Sequence, residues 1–477
     1  MEYFKKSRLL KVGLAFNLIY FVCVIVGVVY FLIEGTLFDT VLTVDFRVFY
    51  EAGQVFLAAP TEIYSVSPNG LPFRYFPLFA AWMAVFTAVP FLILYVINIT
   101  LMMICNVGIV YLAYQVSLQV GVTPTTKNFE RTLLFVFIAP QHIINIMFGQ
   151  ITQFAILLVL LSLYLVQSSR GDSFKWSLCV GLLVGLASTL KPFFLIFFPF
   201  LIPISILGRF RVSVPTKRLL GVMSGFLLSM LPNIVYFTIY PTLLDRFVQV
   251  NLFENLTGQH STSVTNLILA LLRFLDSSSL QPAIILILGG FLFLRSYVLF
   301  ITTPNLQKSY LHHFADMMFL VLLVYPDSWF LFLAIWYAFL GPSMLQMYSD
   351  KRILNEGTRT LDLLWSGANN LLAFFSIGII LHYLVLGFDP IIPIWLIILY
   401  VLYHRVFAHG AHLSQPSSPI INRFSLLPLK KSVYCHRCIS SIRNSMNHFI
   451  GLLLICIGSS TNQNIRRPLH KASFSNS

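Results

Sequence analysis

A carboxylate in a chain that has few of them is the first place to look for chemistry, and Asp45 is such a group. It lies in the stretch Thr43–Phe79, which reads TVDFRVFYEAGQVFLAAPTEIYSVSPNGLPFRYFPLF. Glu34, Asp39, Glu51 and Glu62 flank it, so five of only 17 acidic residues gather between the first long apolar segment and Arg74. Carboxylates this scarce, gathered into one polar segment, suggest a site and not a solubilising surface, with Asp45 as the base of a membrane enzyme. The plainer role for Asp45 is a helix N-cap, where Asp is favoured, although no Glu or Gln follows to complete a capping box. Lys191 is the second candidate. It is the only lysine in a long apolar stretch, Pro192 disfavours helical geometry just before itself, and an intramembrane ionisable residue is by default a functional hypothesis. Its plainer role is a side chain snorkelling into the headgroups.

The elements that must position these groups are helical. The chain has 477 residues, 57% hydrophobic and only 10% charged, with a mean hydropathy of +0.82. Soluble domains carry roughly 25% charged residues, so this composition describes a polytopic membrane protein. Backbone groups in a bilayer must be satisfied internally, by helices or closed barrels. Barrel strands alternate apolar and polar residues, and runs such as FVCVIVGVVYFLI do not. The expected fold is all-α, with about twelve spans of roughly 20 residues each and both termini cytoplasmic.

The net charge of +14 is scattered over short connections and the tail. In a membrane protein that pattern sets orientation, and it gives no reason to expect nucleic acid. If the basic clusters at 127–131, 170–175, 209–218, 295–308 and 351–359 are all cytoplasmic, the opposite helix tips share the side of Asp45. Those tips are Gly149-Gln150, Lys191-Pro192, Pro241–Thr265, Tyr325-Pro326-Asp327 and Gly387–Pro390. The first span is expected over Val12–Ile33. Residues 34–75 follow as an extracytoplasmic loop, with an amphipathic helix whose apolar positions are Phe46, Phe49, Tyr50, Gly53, Phe56 and Leu57. Residues 73–116 are long enough for two spans where charge requires one, so Phe73–Val89 is expected to be a partial helix or one connection breaks the rule. Residues 1–405 form the membrane domain. Residues 406–477 read as a basic, disordered cytoplasmic tail. Its Cys435-His436-Arg437-Cys438 offers half of the four ligands a structural zinc needs, and no metal is expected. Cys23, Cys105 and Cys179 read as small buried hydrophobes.

Asp45 with Tyr50 and Gly53, then Ile63-Tyr64 and Tyr75-Phe76-Pro77, resembles the first extracytoplasmic loop of glycosyltransferase family 87. The likeness continues through Gly149-Gln150 and the run GLLVGLASTLKP ending at Pro192, and covers roughly residues 40–330. It implies a GT-C-fold enzyme that uses a polyprenyl-phosphate sugar, mannose or a similar hexose, to glycosylate a lipid or glycan acceptor outside the cytoplasm. The family's Pro-x-Ser-Trp is matched by Pro326-Asp327-Ser328-Trp329, but the histidine that often follows is missing. A Gly-Asn-Gln-Ser-Leu-like run has Gly258-Gln259-His260-Ser261 as its nearest match.

Under that resemblance Asp45 is the general base. Lys191, Arg47 and Arg74 are candidates for the donor phosphate. Gln150, Tyr75 and His260 are candidates for sugar or acceptor. Each has a plainer alternative: Arg47 can pair with Glu51 one helical turn on, Gln150 can cap a helix tip, His260 can be solvated, and Tyr64, Tyr75 and Trp329 can belong to the interfacial aromatic belt. A soluble nucleotide-binding unit would need a Gly-rich turn between strand and helix, which is absent, and no tight Asp-x-Asp pair suggests a metal. The expectation is a metal-independent, inverting, cofactor-free multi-pass enzyme of the plasma membrane, or of the endoplasmic reticulum in a eukaryote. Its partners are the lipid donor, the acceptor and membrane lipids. A transporter or flippase of lipid-linked sugars, with no covalent step, is the alternative.

Overall fold

The computed structural model describes residues 7–39, 42–122, 127–168, 173–202, 204–207, 211–253, 263–271, 277–302, 306–326, 328, 332–354 and 377–378. All fall within one unit, residues 1–414; residues 415–477 lie outside the described residues. The expected tail and its half zinc site therefore lie outside them, as do His260, Asp327, Trp329 and the tip at 387–390.

The described chain is helical apart from one hairpin, in which β1 (Ser205–Leu207) pairs antiparallel with β2 (Arg211–Ser213), Ile206 opposite Val212. Among the described residues five helices are long and apolar enough to cross a membrane, namely Arg8–Ile33, Phe91–Gln119, Phe129–Phe148, Thr216–Ile239 and Leu280–Ile301. Further apolar helices, such as Thr152–Gln167, Phe174–Leu190 and Tyr310–Val324, are shorter. The chain is an all-α membrane protein.

Helix α1 (Arg8–Ile33) starts at Ser7, whose hydroxyl accepts from the Leu10 amide at 3.3 Å. It ends in a Schellman closure: Thr36 N donates to Phe31 O and Gly35 N to Leu32 O, with Gly35 at φ +71°, a conformation open to glycine. Helix α2 (Val44–Ala58) buries Phe46, Phe49, Ala52 and Gly53 on one face. Helix α3 (Pro77–Phe86) has only 10 residues, about 15 Å of rise, too short to cross a bilayer. A break at Thr87–Pro90 then leads into α4 (Phe91–Gln119). Residues 73–116 thus hold one full-length crossing helix and one partial one. The Tyr50 hydroxyl donates to the carbonyls of Thr87 and Val89, both at 3.2 Å, fastening that break to α2.

Helices α5 (Lys127–Ile138) and α6 (Pro140–Phe148) form one apolar stretch interrupted at Pro140. Proline removes a backbone bond and frees carbonyls one turn back, which must find donors in an apolar interior. Asn17 of α1 and Asn106 of α4 both donate to Phe137 O, at 3.3 and 3.2 Å, and Asn106 also donates to Asn17 Oδ1 at 2.9 Å. Helix α7 (Thr152–Gln167) follows.

Helices α8 (Phe174–Leu190) and α9 (Thr216–Ile239) pack backbone to backbone. A Cβ on Gly181 would meet Val222 O at 2.1 Å, and one on Gly225 would meet Leu178 O at 2.0 Å. Glycines four apart on both helices, 181/185 and 221/225, make the small-residue seam that brings membrane helices together. Gly221 faces Ser177, and further along Asn233 Nδ2 bonds Thr189 Oγ1 at 3.1 Å, so the two helices run parallel. The return path between them is a 3₁₀ helix, Pro192–Leu201, and the hairpin. After α10 (Pro241–Val248) and a π-helical turn, Gln249–Phe253, come α11 (Val264–Leu271), α12 (Ser277–Ile284), α13 (Gly290–Thr302), α14 (Leu306–Val324) and α15 (Leu333–Leu354).

Candidate active site

Pro192 ends α8 by forcing Lys191 into extended geometry, φ −149° and ψ 102°. The Lys191 side chain is buried, 4% exposed. Its Nζ donates to Gln150 Oε1 at 2.8 Å and to Tyr75 OH at 3.0 Å, and lies 5.0 Å from the ring centroids of both Tyr75 and Phe332. It is therefore not a lysine snorkelling into headgroups.

Gln150 is placed by the turn after α6. Gly149 has φ +72°, and a Cβ there would meet Phe46 Cβ at 2.6 Å and the Tyr95 ring at 2.9 Å, so no larger residue fits. Asn98 Nδ2 donates to Gly149 O at 3.0 Å, Tyr95 OH to Met147 O at 2.9 Å, and the Thr43 amide to the same Met147 carbonyl at 3.1 Å. These bonds tie the end of α6 to α4 and to the start of α2.

Asp45 is the second residue of α2. The N-cap position belongs to Thr43, which makes no side-chain cap bond and sits at φ +65°. That left-handed conformation is a real outlier for a β-branched residue, and such strain gathers at functional sites. Asp45 is thus not the cap. Its Oδ2 is closed off from solvent and accepts no hydrogen bond. Burial pushes its carboxyl up to about 6, against the opposing pull of the Lys191 ammonium and a bond to Gln150. Burial likewise holds the Tyr75 hydroxyl well above the usual phenol range.

Asp45, Arg74, Tyr75, Gln150 and Lys191 line one open cleft. It offers about 80 Å³ to water-sized molecules, room for a handful of them at roughly 10–15 Å³ each. Arg74 donates through a guanidinium nitrogen to Val250 O, joining the first loop to the π-helical turn. Four of the five tips expected on the side of Asp45 reach this cleft, through Gln150, Lys191, Asn251 and Tyr325; the fifth lies outside the described residues.

Arg47 does not belong to the cleft. Its Nε pairs with Glu51 Oε1 at 2.6 Å and its guanidinium lies over Phe38, so the helical surface pair is its role. Tyr64 does not line the cleft either, since it is buried and donates to Tyr75 O at 3.0 Å. Cys23 is exposed on α1, contrary to the buried role expected, whereas Cys105 is buried. Sequence reasoning missed Asn251 and the aromatic wall of Phe193 and Phe332. Asn251 accepts from the Tyr325 hydroxyl at 3.1 Å. Nothing local marked it, because a π-helical turn carries no periodic signature. Among the described residues no cluster of His, Cys, Asp and Glu could hold a metal ion.

Comparison of the chain with protein-family models, curated proteins and solved structures finds no match.

Proposed function

We propose that this protein is a GT-C-like membrane glycosyltransferase of about twelve spans that moves a hexose, mannose or a close relative, from a polyprenyl phosphate to a lipid or glycan acceptor outside the cytoplasm. The observation that carries this reading is one cleft lined by both a half-buried carboxylate with an enclosed, unpartnered oxygen and a buried ammonium. In the reaction, the acceptor hydroxyl attacks the anomeric carbon and gives its proton to Asp45. The bond from that carbon to the phosphate oxygen breaks, and the phosphate leaves with the electron pair toward Lys191. Attack opposite the leaving group inverts the anomeric centre. A base is worth about 10²–10⁴-fold, and fixed charge at the leaving group is often the larger contribution. Aromatic rings beside Lys191 suit the faces of a sugar and the first isoprene units.

The test uses purified full-length protein with a synthetic polyprenyl phosphomannose and extracted membrane lipids as acceptors. Wild type should form a covalent product, and Asp45→Asn should lose it while expressing normally. Equal turnover by that variant would remove the mechanism. Movement of the donor across vesicles with no product would identify a transporter.

A further inference from the structure

Gln150 stands between the two charges of the cleft. Its Oε1 accepts from Lys191 Nζ at 2.8 Å, and its side chain lines the same cleft as the Asp45 carboxyl, close enough to favour the charged form of that group. Among the described residues no direct ion pair joins Asp45 to Lys191. Opposite charges in a poorly solvated site attract strongly. Left alone, a lysine and an aspartate on one small cleft would close together and consume each other's bonding capacity. Among the described residues Asp45 Oδ2 still has no partner, and two of the three Lys191 donors are engaged, by Gln150 and Tyr75.

We propose that Gln150 is a positioning residue, an amide spacer that keeps Asp45 and Lys191 from collapsing into an ion pair. The carboxylate then keeps an oxygen for the incoming proton, and the ammonium keeps a donor for a phosphate oxygen. A primary amide suits the task because it carries acceptor and donors together without charge. A glutamate would satisfy the lysine and repel the aspartate; a leucine would hold neither. The spacer is itself held: the Gln150 backbone N–H donates to Asn145 O at 2.9 Å, Thr152 Oγ1 approaches the side-chain Oε1 at 3.4 Å, and the side chain is buried. The catalytic meaning rests on the glycosyltransferase reading; the spacing itself does not.

The charged and titratable groups facing Asp45 are Lys191 beyond α8, Arg74 and Tyr75 of the first loop, and Tyr325 beyond α14. On its own helix, Arg47 and Glu51 are engaged with each other. The experiment is an infrared difference titration of the Asp45 carboxyl in the full-length protein, each background compared with its own Asp45→Asn partner. Gln150→Leu should let Lys191 reach the carboxylate and lower the Asp45 midpoint by at least about one pH unit. Gln150→Glu, isosteric with wild type, should raise it. A midpoint that stays or rises in Gln150→Leu overturns the proposal, and so does one that stays or falls in Gln150→Glu. If the leucine variant does not fold, the glutamate variant decides alone. In the transfer assay, Gln150→Leu should lose kcat more than donor affinity. Absence of transfer by wild type would defeat the enzyme reading and leave the two midpoints to judge the spacer.

Discussion

Asp45 carries a cost that the proposed role as base would account for. Its ordinary value is 3.8 and burial lifts it to about 6, so folding takes up a proton between about pH 4 and 6. Stability therefore falls as pH rises through that window, and above it the buried carboxylate is a net burden. Asp45→Asn should raise the stability of the protein at neutral pH by about 1–3 kcal/mol, read as a higher thermal midpoint, while abolishing transfer. The same carboxyl predicts an acid limb: the wild-type rate should drop about tenfold per pH unit below about 6, as the base becomes protonated. Lys191→Met should cut transfer by about 10²–10³-fold without unfolding the protein, because methionine fills the same space and leaves no buried charge. Asp45 and Lys191 both stood out in the sequence, Asp45 as one of a few scarce carboxylates gathered into one polar segment and Lys191 as a lone lysine in a long apolar stretch. Arg47 was not separable from Arg74 in this way. Both are lone arginines of one loop, and only the direction of the helix face, outward toward Glu51, tells them apart.

At the scale of elements, the α8–α9 seam holds Lys191 at the cleft from a distance. Gly225 lies where any side chain would run into the Leu178 carbonyl. Gly225→Leu should destabilise the protein by at least about 1–3 kcal/mol and lose transfer, although residue 225 touches no part of the cleft. Gly290, with nothing within 4 Å of a Cβ, is the matched control, and Gly290→Ala should leave the thermal midpoint near that of wild type. The break at Pro140 makes a separate demand. Asn106→Leu would leave the Phe137 carbonyl with one donor in place of two and orphan Asn17 Oδ1. The expected loss is about 1–3 kcal/mol, seen in the same melting experiment. The glycine spacing was visible in the sequence, but its partner helix was not, because a small residue says that something comes close without saying what.

For the whole molecule, the sequence carried membrane character and helical class most clearly, since both follow from composition and unbroken apolar runs. Four of the five polar tips grouped by the alternation of basic connections meet Asp45 at one cleft, through Gln150, Lys191, Asn251 and Tyr325. What composition could not reveal was the course between those tips. Apolar length alone did not expose the tight 3₁₀ return of Pro192–Leu201, whereas length set against charge did point to the 10-residue partial helix at Pro77. The wall supplied by the π-helical turn was hidden for the same reason, as irregular backbone leaves no period to read.

The modest capacity of the cleft has a consequence for which molecules can be used. On the proposed reading, a hollow that admits a handful of waters takes the phosphorylated head with no more than the first isoprene units and leaves the rest of the tail outside, among the lipids. Selection should then fall on the head alone. Donors with short and long tails, offered together at equal abundance in the same bilayer, should be consumed side by side, and a strong preference for one length would mean that the tail is measured somewhere beyond the cleft.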